Sequence, residues 1–178
     1  LRRIPPRAGR AHLVRVLKTL LEAPRTAPGV RGPQLPEALA WTVRSLRRRG
    51  LVVIVSDFLD DLGTGEPAEF GWESELRRLT VRHQVLAVEV LDPRELELPD
   101  VGVITLLDPE SGRRREVSTG NRRLRERYAV AAGEHRQAVA TALRRCGANH
   151  LVLRTDRDWV ADIARHTLAQ RHNRAVTR

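Results

Sequence analysis

Asp57 stands at the end of "GLVVIVSDFLDDLG", Gly50 to Gly63, where five apolar, mostly β-branched residues run straight into Ser56 and Asp57. A carboxylate in that position can bind a hard cation directly or through a coordinated water. Magnesium takes one or two such carboxylates plus other oxygens in an octahedral shell. Asp60 and Asp61 follow closely. Two other apolar runs also end in acids, Leu91-Asp92 and Arg154-Thr155-Asp156. Ligands of open α/β sheets bind beyond the carboxyl ends of the strands, so these three acids would share one edge. Asp92 precedes Pro93, and Asp-Pro starts turns. Thr155 with Asp158 fits a capping-box-like helix start. Local structure therefore accounts for Asp92 and Asp156 first. Asp57 is the candidate metal ligand, and alone it does not make a site.

Other chemistries find less. The sequence has no G-x-x-x-x-G-K-[ST] and no G-x-G-x-x-G after a strand, so it offers no phosphate cradle. His12, His83, His135, His150, His166 and His172 lack zinc spacing, and a single cysteine, Cys146, can complete neither a thiolate site nor an internal disulfide. His135 falls on an apolar helical stripe, where a satisfied core histidine is expected. Ser56 lacks the G-x-S-x-G elbow. Aromatics make up only 3% of the chain, and Trp41, Trp72 and Trp159 read as core or interface residues of helices. Nucleic-acid readers usually interleave aromatics with basic residues.

The elements that must position Asp57 follow from periodicity. After Ile4-Pro5-Pro6, a helix begins near Gly9 to Ala11 with Leu13, Val16, Leu17, Leu20 and Leu21 on one face, which is expected to be buried. Prolines and glycines from Pro24 to Pro33 form a loop. A second helix is expected from about Leu35 to Arg49, with Leu39, Val43 and Leu46 inward and Gly50 just past its end. The strand Leu51 to Val55 does not alternate, so both of its faces are expected to be covered and the strand to be central in a parallel sheet. A polar loop, Asp60 to Gly71, leads to a helix from Trp72 to about Arg82. The next strand is Gln84 to Leu91, apolar after Gln84 except for Glu89. A β-hairpin turning at Pro109 to Gly112 is inserted at about residues 100–119. A long helix runs from about Asn121 to Cys146, striped by Leu124, Tyr128, Ala131, His135, Val139, Ala142 and Cys146 and closed by Gly147. A last strand "HLVLR" precedes a final helix with Val160, Ile163 and Thr167 on one face. The basic tail after Leu168, about residues 170–178, is expected to fray.

Helices alternating with apolar strands predict an open, mostly parallel α/β sheet. The 178 residues read as one domain, with 41% hydrophobic and 30% charged residues. No apolar run is long enough for a membrane span, and one cysteine fits a cytoplasmic setting. The sequence contains no methionine, not even at position 1. It therefore reads as the C-terminal portion of a longer chain, N-terminally incomplete, with a first strand expected upstream of Leu1. The net charge of +10 raises phosphate and nucleic-acid partners. Arginines scattered over many elements are first of all solvated helix faces.

Several segments together carry a resemblance: "LVVIVSDFLDD", "ELRRLTVRHQVLAVEVLDPRELELPDVGVITLLDPESGRRREVSTG", "RLRERY" and "LRTDRDWV". Of these, "VLDPRELELPDVG" and "LRTDRDWV" are the most specific. From about Pro5 to Ala169 the chain resembles the bacterial uncharacterised family called domain of unknown function number fifty-eight. The resemblance implies a von Willebrand factor A-like, doubly wound three-layer sheet with a metal-ion-dependent adhesion site at its carboxyl edge. It places Asp57 at the third position of that site. The first motif, Asp-x-Ser-x-Ser, is absent from this sequence, and Ala11 or His12 stands where the second position has Thr. The resemblance also implies a MoxR-type AAA+ ATPase as partner, in assembly or chaperone-like maturation.

The expectation is thus a non-enzymatic protein-interaction module, holding Mg2+ through Asp57 and meeting a MoxR-type AAA+ ATPase or an acidic client. A basic nucleic-acid-binding protein is the first alternative. A metal-dependent phosphoryl-transfer enzyme using Asp57 with Asp60 or Asp61 is the second.

Overall fold

The computed structural model describes residues 3–24, 34–59, 69–107 and 114–176. Asp60, Asp61, most of the loop expected from Asp60 to Gly71, the loop from Pro28 to Pro33 and the hairpin turn lie outside the described residues.

The described chain divides into two compact units, residues 1–33 with 105–117, and residues 34–104 with 118–178. The larger unit holds the parallel sheet. Its strands are β1 (Leu51–Ser56), β2 (Gln84–Leu91) and β5 (Asn149–Arg154), in the order β1-β2-β5. Both pairings are parallel: Ile54 lies opposite Ala87, and Val88 opposite Leu151. Between β1 and β2 runs α3 (Glu73–Arg82), and between β2 and β5 runs α4 (Arg122–Arg145). These crossovers are what parallel neighbours require.

One face of the sheet carries the core. Ile54, Val85 and Ala87 pack there against Leu39 of α2 (Leu35–Ser45), Leu76 and Leu79 of α3, and Val139, Ala142 and Leu143 of α4. Full burial of a leucine such as Leu76, Leu79 or Leu143 contributes about 1.5–3 kcal/mol. The spacing of Leu76 and Leu79, and of Val139, Ala142 and Leu143, puts each set on one helical stripe. At the end of α4 the Gly147 amide donates to Arg144 O and the Ala148 amide to Leu143 O, with Gly147 at φ 78°. This Schellman arrangement stops the helix at a residue free of a Cβ penalty. The opposite face meets α5 (Trp159–Val176), where Gln170 Nε2 donates to Asn149 Oδ1.

The smaller unit contains α1 (Arg10–Leu21). The strands β3 (Val103–Leu107) and β4 (Arg114–Ser118) pair as a separate two-stranded sheet, the expected hairpin.

Several expectations are corrected. The strand β1 is an edge strand, with no partner beyond β2 among the described residues. Its burial alternates: Ile54 is buried, whereas Leu51, Val53 and Val55 are 63%, 51% and 65% exposed. The apolar run marked a strand correctly, but composition does not say how many neighbours a strand has. The helix α1 forms where periodicity placed it, yet none of its residues is buried, and Leu20 is 64% exposed. Amphipathic spacing fixes which side chains share a face, not what covers that face. Leu46 is the exposed cap residue of α2 rather than an inward one, because the helix ends at Ser45. Trp159 is more than half exposed. The last helix continues through the stretch expected to fray, to Val176.

Candidate functional site

The parallel order brings the carboxyl ends of β1, β2 and β5 to one edge, as the three terminal acids require. Each acid then meets a different environment. Asp156 forms a two-pronged pair with Arg154, Oδ1 to Nε and Oδ2 to Nη2, both at 2.9 Å, and the guanidinium holds its carboxyl below the ordinary value. Asp92 accepts the Arg94 amide at 3.0 Å and caps the 3-10 turn Pro93–Glu95. This is turn chemistry, as Asp-Pro predicts. The cap of α5 is Asp158, whose Oδ1 accepts the amides of Val160 and Ala161. Thr155 does not take that part.

Asp57 remains. It is exposed, and its Oδ1 accepts the Leu59 amide at 3.3 Å in an Asx turn. The Ser56 hydroxyl accepts the Phe58 amide at 3.1 Å. Phe58 adopts φ 57°, a left-handed conformation that a bulky side chain reaches at a cost of order 1 kcal/mol. Two contacts hold it there. Its ring is fully buried, edge-on to Trp72 at 5.5 Å, and its carbonyl accepts His135 Nε2 at 3.1 Å. That acceptor fixes a proton on Nε2. Phe70 stacks on Trp72 and meets the His135 ring edge-on. The only two phenylalanines of the chain thus sit directly behind Asp57. His135 is a satisfied, partly buried histidine, as expected.

Beside Asp57 opens a pocket of about 210 Å³ between the carboxyl edge, the turn after β2 and the amino-terminal half of α4. Leu59, Leu91, Leu96, Tyr128, Ala131 and Ala132 give it apolar walls, and Asp57, Glu95, Glu89, His135 and Arg136 contribute polar groups. Tyr128 donates its hydroxyl to the Glu95 carbonyl at 3.0 Å, which ties α4 to the turn. Burial pushes the Glu95 carboxyl up, and the negative charges of Asp57 and Asp92 add to that rise. Burial and the neighbouring Glu95 likewise raise the Tyr128 phenol.

Glu89 is the member that sequence reasoning left unused. It is 3% exposed in the central strand, and its Oε2 accepts His150 Nε2 at 2.8 Å. Arg136 Nε lies 3.5 Å from Oε1 but outside hydrogen-bond geometry, and it is buried with no hydrogen bond among the described residues. The signal was present: a lone carboxylate within an apolar strand must find partners when buried. What the sequence did not reveal is that His150 and Arg136 supply them.

A second buried acid, Glu73, has a structural task. Its carboxylate accepts the Phe70 amide at 2.9 Å, Arg77 at 2.9 Å and both prongs of Arg145, Nη2 at 2.7 Å and Nε at 3.2 Å. Burial alone would raise its carboxyl. Arg145, the Phe70 amide and Arg77 outweigh that and hold it below its ordinary value. The Cys146 thiol beside it is pushed up by burial and by Glu73.

Among the described residues no group of three His, Cys, Asp or Glu side chains could hold a metal ion. Asp57 alone represents the expected metal site, and Ala11 and His12 lie in α1 of the other unit. Among the described residues no helix is long and apolar enough to cross a membrane.

These features define an α/β protein whose parallel sheet presents a pocketed carboxyl edge. The chain belongs to the family described as "Protein of unknown function DUF58", whose model matches residues 1–138. Uncharacterized proteins of Mycobacterium bovis and Mycobacterium tuberculosis are 47% identical to it over 169 residues, 95% of this chain and 50% of theirs. An uncharacterized Mycobacterium avium protein is 46% identical over 169 residues, 95% of this chain and 94% of its own. The chain therefore spans about half the length of the M. bovis and M. tuberculosis relatives. No solved structure matches it.

Proposed function

We propose that this chain is a non-enzymatic protein-interaction module that meets its partner at the carboxyl edge of the sheet. One observation carries the reading. Of the three strand-end acids, two are occupied by Arg154 and by the turn cap, whereas Asp57 stands exposed beside an apolar pocket. The finer fold assignment is the von Willebrand factor A-like, doubly wound sheet. The partner is a MoxR-type AAA+ ATPase, served in assembly or chaperone-like maturation, or an acidic client attracted by the +10 charge.

In this reading Asp57 contributes one carboxylate to a Mg2+ ion, and oxygens from outside the described residues complete the shell. Its Oδ2 is the oxygen with no hydrogen bond among the described residues, which suits a direct or water-mediated ligand. The ion would bridge Asp57 to a carboxylate of the partner. Binding of the MoxR-type ATPase to the full-length protein is measured with Mg2+, with EDTA and for Asp57→Ala. The expected result is binding with Mg2+ that is lost in the other two arms. Equal binding in all three overturns the metal bridge, and no binding in any arm overturns the partner.

A further inference from the structure

We propose that the pocket beside Asp57 receives one basic side chain, an arginine or lysine, of the protein partner. The inference rests on reading the carboxyl edge as the partner-facing surface and not on the Mg2+ bridge: the Asp57 carboxylate holds the ion or a basic head, not both, and partner binding that persists in EDTA favours the head.

Size comes first. Sites for small molecules and cofactors generally occupy roughly 300–1,000 Å³. At about 210 Å³ this pocket is below that range and matches a single long side chain. Its walls come next. Leu59, Leu91, Leu96 and Ala132 offer apolar surface to a methylene stem, and long basic side chains bury their stems while keeping the charged head at a polar rim.

Charge then selects the head group. Asp57 and Glu95 border the pocket, and among the described residues neither is in a salt bridge. The cation in the wall, Arg136, faces Glu89 instead. His135 is committed to the Phe58 carbonyl. Neither neutralises the rim. An arginine or lysine head placed between Asp57 and Glu95 would pair with both, and the Tyr128 ring adds a face for a cation. The acidic rim is a local inversion of sign on a chain of net charge +10, so a partner need be basic only at the inserted residue.

Titration of the full-length protein with an acetylated, amidated Gly-Ala-Arg-Ala-Gly peptide, followed by amide shifts in nuclear magnetic resonance, tests this directly. The same peptide with citrulline keeps the shape of arginine and removes its charge. The arginine peptide should shift the amides of Leu59, Leu96 and Ala132 and bind about fivefold tighter than the citrulline peptide. Asp57→Asn, at an exposed position, should remove most of that difference. Ala132→Phe, which fills the pocket and leaves both carboxylates in place, should abolish the shifts, with amide dispersion reporting that the fold is kept. Equal binding of the two peptides, shifts confined to other elements, or undiminished binding to Asp57→Asn would overturn the proposal. ATPase capture separates it from the reading beneath it. Capture lost in Asp57→Ala but kept in Ala132→Phe leaves the edge as an interface and removes the basic side chain from it.

Discussion

Two buried glutamates and one exposed aspartate divide the work at the residue scale. Glu73 joins the start of α3 to the end of α4 through the Phe70 amide and the guanidiniums of Arg77 and Arg145. Glu73→Gln should therefore lower stability at neutral pH by about 2 kcal/mol, the range for hydrogen bonds to a charged group, as read by chemical denaturation. The pH dependence has a definite sign. The folded carboxyl lies below its ordinary value of 4.5. Its contribution is complete above that value and is lost as pH falls through the lower folded one. Wild type should lose stability more steeply than Glu73→Gln across that acid window, and parallel curves would contradict the assignment. Asp57 makes the opposite prediction. Asn keeps an oxygen for the Leu59 amide, so Asp57→Asn should change stability by less than about 0.5 kcal/mol in the same assay. Asp57 was legible as the end of an apolar run. Glu89 was legible only as an anomaly, because its partners His150 and Arg136 lie far along the chain and meet it only through the parallel register and the packing of α4.

At the scale of elements, β1 decides how the edge is built. Local pattern placed the three parallel strands within a residue or so and the hairpin within its span of about residues 100–119, since apolar runs, turn residues and caps act over short distances. Neighbour identity was not legible. The run Leu51 to Val55 reads equally well as a central strand or as an edge strand with one uncovered face. The structure gives the latter among the described residues. The difference can be measured in the 178-residue chain. Ile54→Ala should cost about 2–5 kcal/mol, the usual range for emptying a core site, whereas Val55→Ala next to it should cost less than about 1 kcal/mol. Comparable losses at both positions would mean that the second face is covered as well. The same reasoning applies to α4. Its carboxyl-terminal half is core, through Val139, Ala142 and Leu143, while Tyr128, Ala131 and His135 continue the stripe into the pocket wall. A single periodic stripe therefore serves packing at one end and a cavity at the other, which periodicity cannot divide.

On the scale of the whole molecule, charge and fold act separately. Many arginines are already matched, among them Arg77, Arg122, Arg125, Arg154 and Arg165, each paired with a carboxylate. If the proposed ATPase partner presents an acidic surface, the remaining positive charge would speed their encounter, and association should slow as salt rises from low to physiological concentration, by stopped-flow. A rate independent of salt would remove long-range steering from the account. The family match places the chain among its relatives, the parallel α/β sheet gives its architecture, and the carboxyl edge around Asp57 is the surface proposed to act. Hydrogen–deuterium exchange of the full-length protein, with and without the MoxR-type ATPase, tests that claim most directly. The account predicts protection at Phe58 and Leu59, across the turn from Asp92 to Leu96 and along the first half of α4. Protection confined to α5 and the amino ends of the strands, with the carboxyl edge unchanged, would contradict it.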